Sequence, residues 1–407
     1  MSDPRAFPSE VDAGSREGDA ATKESPLAVY VHWPYCARIC PYCDFNVVRD
    51  RRQPEQAELA SAIVADLMAQ RELTGPRRLS SIYLGGGTPS LMRPAWAAEI
   101  IDTATQLWAS DDDLEITLEA NPTDAEGSRF SDFAAVGVSR ASLGVQSLDD
   151  AALKFLGRNH NSAEARAAID RALTAFPRVS FDLIYALPGQ TPEAWAAELE
   201  AAVGLGAEHI SPYQLTFEAG TAMTRAADRG RIERPLEDRA ADLFDVTQTV
   251  LEAAGFEAYE VSNHARGVAA RSRHNLAYWQ GHDYVGVGPG AHGRLTLEGC
   301  RTATVAERGV GDYIAAVKTG GVGYGSLESL TPAAAAEERL WMGLRTDLGV
   351  RFAELTPLNL RADSPIVVRM AADGFVRVEH DRLVATRPGR LLLDRLTLEL
   401  ATGGGAA

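Results

Sequence analysis

Residues 28–48, "AVYVHWPYCARICPYCDFNVV", hold Cys36, Cys40 and Cys43, three of the chain's four cysteines, at C-x3-C-x2-C spacing. The fourth, Cys300, lies far down the chain. Thiols this crowded in a long chain read as metal ligands in a reducing compartment, not as a disulfide scaffold. A closed tetrahedral zinc site wants four ligands, typically in two local pairs, so zinc needs His32 or Cys300 to complete it. An iron–sulfur cube is usually held by four thiolates. Three leave one iron open to an outside chelator, and the amino and carboxylate groups of S-adenosylmethionine suit that vacancy. Spacing alone leaves the cluster, zinc and plain core cysteines all open.

Further polar and glycine signals recur where apolar runs end. "YLGGGTPS" places Gly85, Gly86 and Gly87 after one such run. They allow close backbone approach to an amino-acid moiety, though a tight turn needs the same residues. Glu119 closes "LEITLE", Gln146 closes "VSRASLGVQ", and Asp182 is a charge inside the apolar "VSFDLIYALP". A carboxylate in a buried strand is costly unless it is partnered, so an ion pair is the structural alternative. Arg158, in "FLGRNH", is either a charged donor to a carboxylate or a surface arginine at a helix end.

The elements that must position these residues alternate. Residues 27–33, 80–87, 114–122, 138–146, 178–188 and 209–216 read as strands. Residues 54–73, 94–108, 163–176, 192–206 and 236–255 carry apolar residues at helical spacing. This rhythm predicts an α/β fold with a parallel sheet, whose ligand groups collect at the carboxyl ends of the strands. Six units are too few for the eight-stranded barrel, so a partial barrel is expected. A doubly wound sheet would need a switch point that the sequence does not display. The expected organisation is a disordered tail over 1–25, a barrel with an edge strand over 26–265, an irregular segment over 266–330 and a small winged-helix-like domain over 331–400. A turn is expected near His380 and Asp381.

The net charge is −16 with no sustained Lys/Arg stripe, which argues against nucleic acid as a partner. No apolar run approaches the roughly 18 residues of a membrane span. The first residues lack both a signal-peptide core and a transit-peptide bias, so a cytoplasmic location is expected.

The ordered set "YVHWPYCARICPYCDF", "GGGTPS", "LEANP", "GVQSLDDAALKFLGRNH", "DLIYALPGQT", "YQLT", "YEVSNHA" and "SRHNLAYW" resembles the radical S-adenosylmethionine superfamily. Within it, the set is similar to the oxygen-independent coproporphyrinogen III oxidase group. The resemblance spans nearly the whole chain past the tail. It implies a partial (βα)6 barrel with a smaller C-terminal winged-helix-like domain, and a [4Fe-4S] cluster on Cys36, Cys40 and Cys43. By position it implies that Tyr30 meets the methionyl end of S-adenosylmethionine and Tyr42 its adenine region. It likewise implies that Gly86, Gly87 and Thr88 hold the amino-group side, and that Glu119, Gln146, Arg158 and Asp182 bind S-adenosylmethionine. The oxidases resemble C-x3-C-x2-C-x-C, and Phe45 stands here at the last of those positions. The heme-chaperone branch has Phe there and an H-N-x-x-Y-W signature, which "HNLAYW" (residues 274–279) matches.

That branch implies heme binding and transfer to an acceptor protein, respiratory-chain or membrane-associated heme proteins included, by a monomer or homodimer without coproporphyrinogen oxidase activity. The alternative is the oxidase itself, a radical decarboxylase of porphyrin biosynthesis. A third reading is a zinc-stabilised barrel with a purely structural or binding role. For heme, His274 is the expected axial donor, with Tyr278 and Trp279 as flat faces. Arg266, Arg271 and Arg273 are candidates for the propionates, and His264, His282 and His292 are competing donors. Cys300 is expected to have no metal role.

Overall fold

Apolar and polar residues alternate along the strands, and the curvature of the sheet decides which set faces inward. The computed structural model describes residues 25–51 and 53–403. The tail expected over 1–25 lies outside the described residues but for Ser25. Strands β1 (Pro26–Trp33), β2 (Arg78–Gly86), β3 (Ala109–Ala120), β4 (Arg140–Gln146), β5 (Arg178–Tyr185) and β6 (His209–Gln214) pair in sequence order, all parallel. Consecutive order means no switch point, so the partial (βα)6 barrel stands and the doubly wound alternative falls.

Helices α1 (Gln53–Thr74), α2 (Pro94–Leu107), α3 (Ser162–Ala175) and α4 (Pro192–Val203) supply crossovers, the short helices Asp124–Gly127 and Phe130–Ala135 link β3 to β4, and α5 (Glu237–Ala253) follows β6 in the same outer layer. Their starts are chemically marked. Asn161 and Glu164 form a capping box on α3, and Thr191 caps α4 ahead of Pro192. Val29, Val31, Ile82, Leu84, Leu118, Phe181 and Ile210 point outward and are fully buried, in one core with Leu59, Ile63, Ile100 and Leu199 of the helices. The alternate positions are polar and line the interior: Tyr83, Thr117, Glu119, Ser142, Ser180, Asp182, His209 and Ser211.

Beyond β6, Glu257–Ala258 and His264–Ala265 add a short antiparallel edge, in the place of the edge strand expected at the end of the barrel. The segment expected to be irregular, 266–330, is instead largely regular. It holds α6 (Arg273–Trp279), β7 (Asp283–Val287), β8 (His292–Leu297), β9 (Cys300–Ala306), α7 (Val310–Gly320) and β10 (Tyr324–Ser329). β7 joins the free side of β1 in parallel, and β8 to β10 continue the sheet as an antiparallel meander. Its glycines are packing residues that disguise the strands. At Gly286 a Cβ would sit 2.0 Å from the carbonyl oxygen of His292.

The segment between residues 266 and 282, which carries α6, therefore leads from the β6 edge to β7, and α6 packs against β1, β2 and β7. Fully buried Glu115 anchors it there. Its carboxylate accepts the N–H groups of Arg273 (2.8 Å) and His274 (3.2 Å) and pairs with Arg140 (3.0 Å) and Arg178 (3.2 Å). The C-terminal region packs a separate core around Leu340, Leu344, Val367, Leu383 and Leu396. It consists of α8 (Pro332–Leu344), a three-stranded sheet and the flanking helices Pro365–Ala372 and Leu393–Gly403. The hairpin between Val376–Glu379 and Arg382–Ala385 turns at left-handed His380. Among the described residues no helix is long and apolar enough to cross a membrane.

Candidate functional site

The cysteine loop leaves the carboxyl end of β1 and is closed on itself. Tyr35–Cys36 pairs in parallel with Val48–Arg49, the Val48 N–H donates to Pro34 (2.8 Å), and that of Asp50 donates to Cys36 (2.9 Å). The loop also docks on its surroundings. The Pro41 carbonyl accepts the Met223 N–H (2.8 Å), and a Cβ at Gly157 would meet the Pro41 ring at 2.7 Å. Cys36 is buried, whereas Cys40 and Cys43 are half-buried.

Burial pushes the Cys36 thiol up to about 11 and raises that of Cys43. Such thiols ionise readily only beside a cation, as metal ligands do. The surrounding donors already favour charged sulfur. The Thr88 hydroxyl lies 3.6 Å from the Cys36 Sγ, and the Arg158 guanidinium donates to the Cys40 Sγ at 3.2 Å. Zinc completion fails on its two named candidates: both ring nitrogens of His32 are engaged, with Tyr30 and the Asn46 carbonyl, and Cys300 is exposed at the start of β9. Among the described residues no three His, Cys, Asp or Glu side chains converge to hold a single ion. A cube spreads its thiolates over different irons, so the donor set fits a cluster.

Below the loop opens a cavity of about 350 Å³, lined by Cys36, Cys40 and Cys43 together with the polar ends of β2 to β6. Glu119 accepts the Tyr83 hydroxyl (2.7 Å) and the Gly86 N–H (2.9 Å), while burial holds its carboxyl above the usual range. Burial, reinforced by nearby Glu119, raises Asp182 to about 7. Gln146 ends β4 with φ 69, a left-handed conformation rare outside glycine, where the pairing with β5 slips. Arg158 does reach the cavity, and among the described residues it forms no ion pair with a carboxylate. It donates to the Asn121 side chain, the Gly144 carbonyl (2.8 Å) and Cys40, all lacking a fixed negative charge.

The glycine run serves packing as well as access. A Cβ at Gly86 would lie 2.5 Å from the His32 ring, and one at Gly87 would lie 2.7 Å from the Pro34 carbonyl. The N–H groups of Gly86, Gly87 and Thr88 already donate, to Glu119, Trp33 and Tyr35. Carbonyl lone pairs are what this edge retains for a ligand, the Thr88 oxygen already accepting the Leu91 N–H (3.0 Å), and they suit an ammonium group. Tyr42 lines the same cavity with an apolar face backed by Leu156, Ile184 and Leu215. Tyr30 does not line it. Its hydroxyl bonds His32 (2.9 Å), and it faces an adjoining cavity.

That second cavity, about 530 Å³, lies between the cysteine loop, β1, α6 and β8, and it is walled by tyrosines and histidines. His274 is 1% exposed, with Nδ1 on the Ser81 hydroxyl (2.9 Å), Nε2 on the Tyr278 hydroxyl (2.6 Å) and its ring stacked on Tyr83 at 4.8 Å. Burial drives its pKa down to about 3. Tyr278 shares this wall, whereas Trp279 turns to the C-terminal region, under the Arg345 guanidinium (4.7 Å).

The three arginines expected to serve propionates are committed elsewhere. Arg271 pairs with Asp347 (2.7 Å) and Glu257 (3.2 Å), Arg273 pairs with Asp113, and Arg266 lies over Phe256 (4.4 Å). His264 is buried against Gln248 (3.3 Å), His282 lies outside the second cavity, and His292 lines it. Tyr83, Asn121, Ser211 and Tyr284 belong to these cavities although sequence reasoning does not single them out. The available signal for Tyr83 and Ser211 is their two-residue spacing along strands from other inward polar positions.

A family profile described as the radical SAM superfamily matches residues 30–202, and one described as the HemN C-terminal domain matches residues 330–392. The chain is 38% identical over 402 residues to radical S-adenosyl methionine domain-containing protein 1, mitochondrial, of Mus musculus, covering 96% of this chain and 90% of that protein. It is 33% identical over 371 residues to heme chaperone HemW of Bacillus subtilis, covering 90% of this chain and 96% of that one. Coproporphyrinogen III oxidase (HemN) from Escherichia coli, described as a radical SAM enzyme, superimposes with a TM-score of 0.77 over 94% of this chain and 92% of its own, at 23% identity. That likeness shows the shared fold. With a three-cysteine loop over a polar half-barrel and relatives of this length and identity, the chain belongs to the radical S-adenosylmethionine superfamily, in the group that includes heme chaperone HemW.

Proposed function

We propose that this chain binds heme and hands it to an acceptor protein, with Cys36, Cys40 and Cys43 carrying a [4Fe-4S] cluster whose remaining iron takes exchangeable S-adenosylmethionine. The observation that carries the reading is the pair of adjoining cavities, one beneath the cysteines and one walled by tyrosine and histidine, with Phe45 lining both. The cluster, when bound, would supply the iron that an amino-acid end chelates and an electron for the sulfonium. Around it, the carbonyls at Gly86, Gly87 and Thr88 receive the ammonium group, and buried Glu119 holds the Gly86 backbone in place. Tyr42 offers its face to the adenine, while Gln146 and Asp182 serve as polar contacts within the barrel. Arg158 steadies Cys40. Tyr30 supports the methionyl end from behind Gly85, where an added Cβ would meet its ring at 3.0 Å. His274, Tyr278 and Trp279 belong to the heme side, the first two as cavity wall and the third as the link to the C-terminal region.

Phe45 favours this reading over coproporphyrinogen oxidation. It is 60% exposed and stands on the rim where the oxidase pattern has a further thiol. The relatives named heme chaperone support the same choice. We place the activity in the cytoplasm, with a heme protein as acceptor. The test is transfer. Hemin-loaded protein mixed with an apo heme protein should lose its Soret band to the acceptor. Anaerobic formation of protoporphyrinogen from coproporphyrinogen III would reverse the order of the two readings.

A further inference from the structure

We infer that heme iron is ligated by His292 in the second cavity, and that His274 is a structural residue of its wall. This rests on the heme-binding reading above. An axial imidazole needs a free nitrogen facing a space that admits a flat macrocycle, with a cation near enough for the propionates. His274 lacks the first of these. Both its nitrogens are taken, its ring is stacked on Tyr83, and it is 1% exposed. His32 is likewise bonded at both nitrogens, to Tyr30 (2.9 Å) and the Asn46 carbonyl (2.8 Å).

His292 meets each condition. It stands exposed at the start of β8, lines the cavity, and its imidazole has no hydrogen-bond partner among the described residues. Arg308 is exposed on the same cavity and forms no ion pair among the described residues. Phe45 and Tyr284 supply flat faces around it. A cavity of about 530 Å³ is within the range of sites that enclose cofactor-sized ligands.

The local backbone is built to hold this arrangement beside the cysteine loop. The Asn46 side-chain amide donates to the carbonyls of both Pro289 (2.9 Å) and Arg308 (3.0 Å). Gly290 is required at that latch, because a Cβ there would lie 2.6 Å from the Asn46 amide nitrogen. The loop carrying the cluster cysteines thus grips both segments that present His292 and Arg308. Heme at this place would share the Asp44 and Phe45 wall with the cluster side.

The experiment is hemin titration of the full chain, read by Soret position and low-temperature electron paramagnetic resonance, for the parent, His292→Ala, His274→Gln and Arg308→Ala. Metal-free protoporphyrin IX, followed by fluorescence, reports the cavity independently of ligation. His292→Ala should lose the imidazole signature and weaken hemin binding about tenfold or more, with protoporphyrin IX affinity within about twofold of the parent. Added free imidazole should restore the spectrum. His274→Gln should keep the imidazole signature although it loosens the wall. Arg308→Ala should weaken hemin and protoporphyrin IX alike, by roughly three- to tenfold. A parent that binds hemin while His292→Ala keeps its spectrum overturns this assignment alone, as does loss of the signature in His274→Gln with protoporphyrin IX binding intact. A parent that takes up no hemin overturns the heme reading and this assignment with it.

Discussion

Burial raises the Asp182 carboxyl to about 7, so it stays protonated well above the range where an exposed aspartate ionises. The unfolded chain titrates near 3.8. The folded state therefore binds the extra proton between these values, and this contribution, full below 3.8, is lost as pH rises through about 7. Asp182→Asn is accordingly expected to melt close to the parent at pH 4 and above it at pH 8, by up to about 4 kcal/mol in stability. Thermal melts at the two pH values check this, and an equal gap at both would contradict it. Clustered cysteines and a charge inside an apolar strand are conspicuous, so Cys36, Cys40, Cys43 and Asp182 were legible from sequence. Asn121 and Tyr83 were not. A polar residue in a strand reveals its inward direction only once the closure of the sheet is known. The basic cluster at Arg266, Arg271 and Arg273 misleads for a related reason, because two of its carboxylate partners, Asp113 and Asp347, lie far away in sequence.

At the scale of elements, Glu115 joins β3, β4, β5 and α6 through one fully buried carboxylate. Glu115→Gln leaves Arg140 buried without its countercharge, and the expected cost is about 3–5 kcal/mol, measured by urea unfolding. A loss below about 1 kcal/mol would show that α6 does not depend on this anchor. Gly87 joins β2 to the cysteine loop. Gly87→Ala pushes a methyl against the Pro34 carbonyl at 2.7 Å, so iron uptake should fall by about half or more while far-ultraviolet circular dichroism holds. Unchanged iron uptake would contradict that. The six barrel strands and the five long helices packed on them were legible through periodicity. α6 was not, because seven residues are too few to show a helical period, and β7 was hidden by Gly286.

At the scale of the whole molecule, two hydrophobic cores are tied by ion pairs that cross between them. Arg345 meets Glu260 (2.7 Å), Arg271 meets Asp347 (2.7 Å), and Arg294 meets Glu338 (2.7 Å). Glu260 is 1% exposed and also accepts the Asn263 amide (2.6 Å), and Asn263 accepts the Ser211 hydroxyl (3.0 Å) at the cavity. Glu260→Gln should therefore loosen the C-terminal region, seen as faster limited proteolysis near residue 330, and an unchanged cleavage rate would contradict the tie. This junction was not legible in the sequence, since its pairs join residues that only the fold brings together. The barrel presents its polar interior to a loop of three thiols, and in our proposal the open iron corner is what that arrangement serves. The most direct measurement is electron paramagnetic resonance of the anaerobically reconstituted, reduced protein with and without S-adenosylmethionine. The predicted result is about four irons and four sulfides per chain and a signal whose g values shift when S-adenosylmethionine is added. One zinc per chain, or a cluster signal indifferent to S-adenosylmethionine, would contradict it.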